Sequence, residues 1–396
     1  MKKIRNIVLI LALLTISSAA SFKLGEYSVS RGSSEEKLDL SLMWKVKGRL
    51  ESLFLEKENM DEKGMTYGAI QGMVAALNDP YTVFLPPKEN KSSNEDLAGE
   101  FGGVGISLGY KDKTLAVMSP LPKTPAEAAG VKAGDLILRI KDSNKGLDRD
   151  TVGISLDEAV ENIRGKVGSE VTLTLFREGG EGSFEVILKR DNIVVPSVEL
   201  EWKENDGKNI AWVKMYKFTE RLYEEWDEIV DEINNSRGSD FGGIVLDLRN
   251  NPGGYLNASV EVASDFLEKG VVVKQEAYDG SVETYSVDTK RKGLLWEELV
   301  VLINGGSASA SEILAGALRE HDRARLVGET TFGKGTVQQP ENFSDGSGLH
   351  VTVAKWLLPS GKNIHDEGVS PDVEISDDAE TEEDEQLMRA MDLLLE

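Results

Sequence analysis

Apolar residues recur along this chain in three rhythms. Near the N-terminus Met43, Val46, Leu50, Leu53 and Phe54 fall at i, i+3, i+7, i+10 and i+11, and Ala69, Ile70, Met73, Val74 and Leu77 keep a similar spacing. Both patterns predict helices, because residues three and four apart share one helix face. Asn78-Asp79-Pro80 ends the second helix, since proline cannot continue a helix and disfavours helical geometry just before it. The pair reads as a small N-terminal unit, a packing or dimerising platform, and a homodimer through these helices is expected.

From Phe101 the rhythm shortens. Phe101-Gly102-Gly103-Val104-Gly105-Ile106 leads into a strand over 104–108, and further strands are predicted over 114–118, 136–140 and 184–189. Val171, Leu173 and Leu175 alternate with Thr172 and Thr174, the period of a half-buried strand. A short helix at 125–129 closes on Gly130, and Ser155-Leu156-Asp157-Glu158 has the capping-box spacing that opens a helix through Ile163. The result is a compact β-rich module. Beyond it, continuous apolar runs at 243–248, 299–303 and 326–328 predict buried strands, and Ile313, Leu314, Ala317 and Leu318 share one helix face, so 191–375 reads as α/β. Seven acids in nine residues, 377–385, read as a solvated linker. Leu387, Met388, Met391, Leu394 and Leu395 then form a short amphipathic helix that docks back on the body. The expected divisions are 1–22, 36–98, 99–190, 191–375 and 376–396.

Composition narrows the function. A length of 396 residues suits two or three domains, and 40% hydrophobic residues suffice for real cores. A net charge of −24 with no basic block repels phosphate backbones, which excludes non-specific nucleic-acid binding. Cysteine is absent, so disulfides, thiolate nucleophiles and Cys-based zinc sites are excluded. The three histidines, His321, His350 and His365, lack metal-ligand spacing and read as surface or packing residues. Lys2, Lys3 and Arg5 precede an apolar run over 7–16 and the small residues Ser17-Ser18-Ala19-Ala20-Ser21. This is the layout of a signal peptide, with Ser18 and Ala20 suited to a cut at Ser21, and the run is short for a span of about 20 residues. Because the run can be extended over Ser17–Phe22, an uncleaved anchor is the alternative. Either reading exports the rest, to the periplasm, the outer face of the cytoplasmic membrane or the medium.

Ser307-Ala308-Ser309-Ala310-Ser311-Glu312 follows an apolar strand and opens a helix. A serine on such a turn faces free backbone N–H groups and the positive end of the helix dipole, which suit an oxyanion; small-residue helix starts are also common as plain N-caps. With no histidine in a plausible motif, a lysine is the remaining base, and Lys334, between Gly333 and Gly335, stands out. Burial would have to bring its pKa from ~10.4 to ~7–8. In an extended segment Lys334, Thr336 and Gln338 share a face, so the Gln338 amide oxygen is placed to orient the lysine. Gly253 and Gly254 follow a buried strand and an Asp-Leu-Arg turn, where a bare backbone lets an N–H point into a site.

These segments carry a resemblance. Gly306-Ser307-Ala308-Ser309-Ala310-Ser311-Glu312-Ile313, Thr331-Phe332-Gly333-Lys334-Gly335-Thr336-Val337-Gln338 and Asp247-Leu248-Arg249-Asn250-Asn251-Pro252-Gly253-Gly254 resemble the carboxyl-terminal processing, or tail-specific, proteases. So do Trp356-Leu357-Leu358-Pro359-Ser360-Gly361, Gly368-Val369-Ser370-Pro371-Asp372, Asn78-Asp79-Pro80-Tyr81-Thr82 and Phe101-Gly102-Gly103-Val104-Gly105, in order over about 40–375. The resemblance implies a Ser–Lys endopeptidase whose α/β core is the spiral shared with crotonase-like enzymes, with an inserted PDZ domain and an N-terminal helical segment. It implies Ser309 as nucleophile, Lys334 as base and Gln338 as the residue orienting it, with oxyanion donors on Ala310 and on Gly253 or Gly254. Glu320 stands where relatives often carry an aspartate.

The PDZ module implies a tail groove of Gly103, Val104, Gly105, Ile106, Leu156 and Val160, binding protein or peptide tails with apolar ends, Ala, Val or Leu, and a free carboxylate. Arg164 reads equally as a coupling residue between groove and protease and as a plain helix C-terminal cation. No metal or organic cofactor is implied. The rival expectation is a PDZ-containing protein that binds tails without cutting them; acyl transfer on a crotonase-like core is a distant third.

Overall fold

The computed structural model describes residues 38–180, 182–291, 293–376 and 383–396. The expected leader, 1–22, lies outside them. No helix among the described residues is long and apolar enough to cross a membrane. The chain divides into two compact units, Met1–Thr66 and Tyr67–Glu396.

In the first unit helix α1 (Ser41–Leu53) buries none of its residues, and Leu42 and Leu53 are 70% and 73% exposed. Helix α2 (Glu62–Ala75) crosses the boundary. Residues 83–98, which the sequence groups with the N-terminal helices, pack with the second unit's own sheet. Strand β1 (Val83–Leu85) pairs antiparallel with Gly348–His350, and helix α3 (Pro87–Ala98) places Asn90 Nδ2 on Asn342 Oδ1 at 2.7 Å. Proline in its first turn starts α3, and Gly99 at φ +76° ends it.

An antiparallel ribbon, β2 (Glu100–Gly103) with β9 (Asp191–Val194), carries the chain into and out of the β-rich module. Between them lie β3 (Ile106–Lys111), β4 (Thr114–Pro120), α4 (Pro125–Ala128), β5 (Leu136–Asp142), β6 (Leu147–Asp150), α5 (Leu156–Ile163), β7 (Glu170–Phe176) and β8 (Ser183–Lys189). The sheet order is β3-β4-β5-β7-β8, with β6 on β5. Alternate residues Val171, Leu173 and Leu175 point into a core shared with Ile137, Ile140 and Ala159. The Ser155 hydroxyl accepts from Glu158 N–H at 3.2 Å, the N-cap expected for α5.

The remaining elements are β10 (Val198–Asn205), β11 (Lys208–Met215), α6 (Leu222–Ser236), β12 (Phe241–Asp247), α7 (Leu256–Phe266), β13 (Val271–Ala277), β14 (Val282–Ser286), β15 (Leu299–Ile303), α8 (Ala310–Glu320), β16 (Arg325–Gly328), β17 (Thr336–Asn342), β18 (Gly348–Leu357), β19 (Val373–Glu374) and α9 (Glu385–Leu395). One sheet runs β10-β11-β12-β15-β16-β19 and is parallel from β11 on; a second, antiparallel, runs β1-β18-β13-β14 with β17 on β18. Ile244, Leu246, Val301 and Ile303 face the main core with α6, α7 and α8, while Val245, Val300 and Leu302 face Leu387, Ala390 and Leu393 of α9. Burial on both faces is why these strands read as unbroken apolar runs. Each leucine of α9 buried here contributes roughly 1.5–3 kcal/mol. The chain is thus α/β, with a β-rich insertion between β2 and β9.

Candidate active site

Strand β15 delivers the chain into the tight turn that opens α8. Ser309, the N-cap, sits at φ +54° and ψ −112°, a conformation non-glycine residues rarely adopt. The turn holds it there. Ser307 Oγ donates to Leu248 O at 2.8 Å, Ser311 Oγ to Asn251 O at 2.9 Å and Ala308 N–H to the same oxygen at 3.0 Å. Ser307 and Ser311 are fully buried, so of the three serines only Ser309 faces the cavity.

That cavity, about 340 Å³, is lined by Ser309, Lys334, Gln338, Gly253, Gly254 and His350, with Trp356 and Ile313 among its apolar walls. The sequence-predicted serine, lysine, glutamine and glycines thus meet in one place, although the glycine loop lies 55 or more positions before the serine. Helix α3 contributes Asp96, which pairs with Lys217 at the rim.

Lys334 is half-buried. Burial lowers its pKa, opposed by the negative charges of Glu312 and Asp79, and the net shift is downward. Its Nζ lies 5.0 Å from the Tyr81 ring centroid. Its backbone is fixed on both sides: Trp356 Nε1 donates to Lys334 O at 2.7 Å and Gly335 N–H to His365 Nδ1 at 3.3 Å. Lys334 Nζ has no hydrogen bond among the described residues, so the expected contact with the Gln338 amide oxygen is not formed. Gln338 instead donates through Nε2 to Thr336 Oγ1 at 2.9 Å and Thr352 Oγ1 at 3.2 Å. Those two bonds hold the amide through its nitrogen, and its oxygen makes no bond to the lysine.

Glu312 joins the two halves of the site. Fully buried, it accepts from Ser309 N–H at 2.7 Å, Thr331 Oγ1 at 2.6 Å, Gly333 N–H at 2.6 Å and Lys334 N–H at 3.0 Å. One carboxylate therefore ties the serine turn to the lysine loop. Sequence reasoning passed over Glu312, Asp79, Tyr81 and Asn251. All stand inside the motifs that carry the resemblance, but burial and multiple donors are visible only in three dimensions. Glu320, by contrast, accepts from Ser360 N–H and Oγ, both at 2.7 Å, and holds the turn after β18.

The two glycines are distinguishable. A Cβ on Gly253 would lie 2.9 Å from Ser309 Cβ and from Ala310 N, so only glycine lets this loop close on the serine turn. Gly253 N–H is already taken by Asn251 Oδ1 at 2.9 Å. Gly254 N–H and Ala310 N–H donate to no described group, the latter being an open donor of the first turn of α8.

In the β-rich module the predicted groove residues part company. Ile106 and Leu156 are half-buried beside the core, but Val104 is 2% exposed and belongs to it, because its carbonyl is drawn in by Ala126 N–H at 2.9 Å. The strand begins at Ile106, two residues later than expected. Gly103 ends β2, and Gly105, at φ +75°, packs against Thr124. Val160 and Arg164 line a separate cavity of about 890 Å³ with Lys88 and Glu95 of α3. The Arg164 guanidinium lies 3.7 Å above the Phe101 ring. Of the histidines, His321 Nε2 contacts Val271 O, His365 supports the lysine loop, and His350 lines the cavity, where burial and the neighbouring Lys334 lower its pKa. His350 is thus a packing residue of the cavity wall, a place in the fold that its sequence does not announce. No group of acids and histidines among the described residues is arranged to hold a metal ion.

Comparisons with known proteins converge. The Peptidase family S41 profile matches residues 209–375, the PDZ domain profile 94–176, and that of the activating protease CtpB N-terminal domain 18–88. The carboxy-terminal processing protease CtpA of Bacillus subtilis is 37% identical over 352 residues, 88% of this chain and 71% of that one. A Staphylococcus haemolyticus protein named "Probable CtpA-like serine protease" is 35% identical over 372 residues, 94% of this chain and 71% of that one. The solved photosystem II D1 C-terminal processing protease superposes with a TM-score of 0.52 at 32% identity, over 88% of this chain and 90% of that one.

Proposed function

Because the chain belongs to peptidase family S41, as a serine-type, CtpA-like carboxy-terminal processing protease with an inserted PDZ domain, we propose that it is an exported Ser–Lys endopeptidase that captures protein tails and cuts them. The observation that carries this reading is the single cavity holding the strained Ser309 at a helix N-terminus and the desolvated Lys334. The family sets aside the non-cutting, tail-binding alternative.

Ser309 Oγ attacks the scissile carbonyl. Neutral Lys334 takes the hydroxyl proton and returns it to the leaving amine. The two side chains are not hydrogen-bonded here, and rotation of the flexible lysine stem brings them into reach once substrate fills the cavity. Ala310 N–H and Gly254 N–H, the two open donors, receive the tetrahedral oxyanion. The PDZ module takes the substrate's C-terminal segment as an added strand along β3, beside Ile106 and Leu156, with its carboxylate at Gly103–Gly105. Casein digestion tests the core of this: wild type cuts, with or without a metal chelator, and Ser309→Ala does not. Cutting by Ser309→Ala would overturn the assignment.

Two further parts rest on the N-terminal sequence. The leader exports the protein or anchors it to the membrane, tested by sequencing the N-terminus of the mature protein. The bare apolar face of α1 supports a homodimer through the N-terminal helices. Sedimentation of wild type against Leu50→Asp tests this, a monomer in both being the adverse result.

A further inference from the structure

Arg249 opens the loop that leads to Gly253 and Gly254, and its guanidinium is forked twice. Nε and Nη2 donate to Asp247 Oδ1 and Oδ2 at 2.9 and 2.7 Å; Nη1 and Nη2 donate to Asp384 Oδ1 and Oδ2 at 2.8 and 2.7 Å. Nη1 also reaches Gln386 Oε1 at 3.1 Å. The Arg249 side chain is 11% exposed. Burial works against its charge, but Asp384 and Asp247 more than offset it and hold the guanidinium protonated. Asp247 is in turn held by Trp212 Nε1 at 3.1 Å.

Asp384 comes from the far end of the chain and is itself fixed. It is the N-cap of α9, accepting Leu387 N–H at 2.9 Å, and α9 is seated by Leu387, Ala390 and Leu393 on the outer sheet face. On the other side of Arg249, Asn250 stands at φ +57° and donates its N–H to Asn304 Oδ1 at 2.8 Å. Asn251 then donates to Met215 O at 2.7 Å and accepts from both Ala308 N–H and Ser311 Oγ of the serine turn. A continuous set of bonds thus runs from the start of α9 to the loop that carries the open Gly254 N–H. A helix whose only task was to cover the sheet would not need a bidentate carboxylate on this particular arginine.

We propose that Asp384 is a positioning residue for proteolysis: through Arg249 it fixes the loop that presents Gly254 N–H to the oxyanion. The proposal rests on the assignment of Ser309 as nucleophile and Gly254 N–H as oxyanion donor. Transition-state donors act only within a few tenths of an ångström of the developing charge, and deleting one lowers kcat by about 10²–10³. Loosening a donor's support acts in the same direction with a smaller effect.

The test uses the full chain, a chromogenic peptide and a peptide boronate, which forms a tetrahedral adduct on the serine. Asp384→Asn keeps the size and the N-cap, since asparagine caps as well as aspartate, and removes the negative charge that faces Arg249. Expected are a kcat roughly tenfold lower, an unchanged KM, and boronate affinity reduced by the same factor. Leu393→Ala is the control for stability: it lowers Tm but leaves kcat at wild type well below the melt. Wild-type kcat and boronate affinity in Asp384→Asn, with Ser309→Ala inert, overturn the proposal alone. Loss of kcat in both variants in proportion to Tm also overturns it, as a merely structural effect. A Ser309→Ala chain that still cuts and still binds boronate overturns the nucleophile assignment and the proposal with it.

Discussion

In the proposed function the protease core and the PDZ module both offer backbone N–H groups to an anion, and the two regions are held together differently. Around Ser309 the backbone is tied by side chains: Glu312 takes four donors, Asn251 stitches the glycine loop to the serine turn, and Arg249 joins that loop to α9. Around Gly103–Gly105 the ties are mostly backbone to backbone, from Leu121 N–H to Gly105 O at 2.9 Å, Ala126 N–H to Val104 O at 2.9 Å and Gly165 N–H to Gly102 O at 3.0 Å. A site built on particular side chains fails when one is removed. A site built on backbone tolerates side-chain change and responds mainly through packing.

The sharpest test of that contrast is at the proposed nucleophile and base. Ser309→Ala and Lys334→Ala should each lower kcat by more than roughly 10³-fold, with the double variant no worse than either, because the residues act as one unit. Lys334→Arg should be as inactive, since a guanidinium does not give up its proton in the working range. Binding of a C-terminal peptide to the PDZ module, read by fluorescence polarisation, should be unchanged in all of them. Near-wild-type turnover in Lys334→Arg would remove the lysine from its role as base.

Next in size is Glu312. Glu312→Ala leaves several buried donors without a partner, each costing about 1–3 kcal/mol, so a loss of roughly 3 kcal/mol or more is expected together with loss of activity. Glu312→Gln, which keeps the shape but turns an acceptor into a donor, should fall between. Thermal melts and kcat well below the melt decide it. A wild-type Tm in Glu312→Ala would mean that the carboxylate does not hold the two loops together.

The same contrast explains what could be read from sequence. The runs at 243–248 and 299–303 announced buried strands because both faces of β12 and β15 are covered. Alternation in β7 and the Ser155 cap gave the PDZ elements away. By contrast α3 is polar nearly all round, burying only Asn90, and carried no usable period; β10 reads Val-Glu-Leu-Glu-Trp-Lys-Glu-Asn, where Val198, Leu200 and Trp202 alternate with charges and face the core, a strand signal that was there to be read and was passed over. In the site, Ser309, Lys334 and the glycines stood out because their chemistry is unusual for their position. Glu312 and Asp384 did not, because a carboxylate on a helix start or in an acidic run looks like ordinary surface until its partners are known. Val104 was assigned to the groove since a Gly-x-Gly strand entry does not say which side chain turns inward.

A gentler probe is the charge on Lys334. Its folded pKa lies below the unfolded value near ~10.4. Below the folded pKa both states hold the proton, and the cost of burying the charge is present in full. As pH rises from the folded pKa to the unfolded one, the unfolded chain binds more protons, and stability recovers. Lys334→Met removes this cost, so it should raise Tm at pH 6–7 and lose that advantage as pH nears ~10. Over the same range wild-type kcat/KM should rise as the amine deprotonates. A Tm difference that does not vary with pH would show that the lysine is not desolvated in the folded protein.

The smallest effects belong to the PDZ module, where two neighbouring residues separate packing from recognition. Val104 is buried in the module's core, and Ile106, the first residue of β3, is only half-buried beside it. Val104→Ala removes two methyl groups from a closed core, worth about 1–2 kcal/mol of stability. Its effect on tail affinity, measured on a Ser309→Ala background so that the peptide survives, should be slight. Ile106→Ala should do the reverse, leaving Tm nearly unchanged and weakening the tail a few-fold, because strand addition takes its affinity mainly from backbone bonds and only its preference from side chains. Amidating the peptide's C-terminus should weaken binding more than either substitution, since the N–H loop is arranged for a charge. If Val104→Ala weakens the tail and Ile106→Ala does not, the groove runs along a different edge of the module from the one that β3 and α5 enclose.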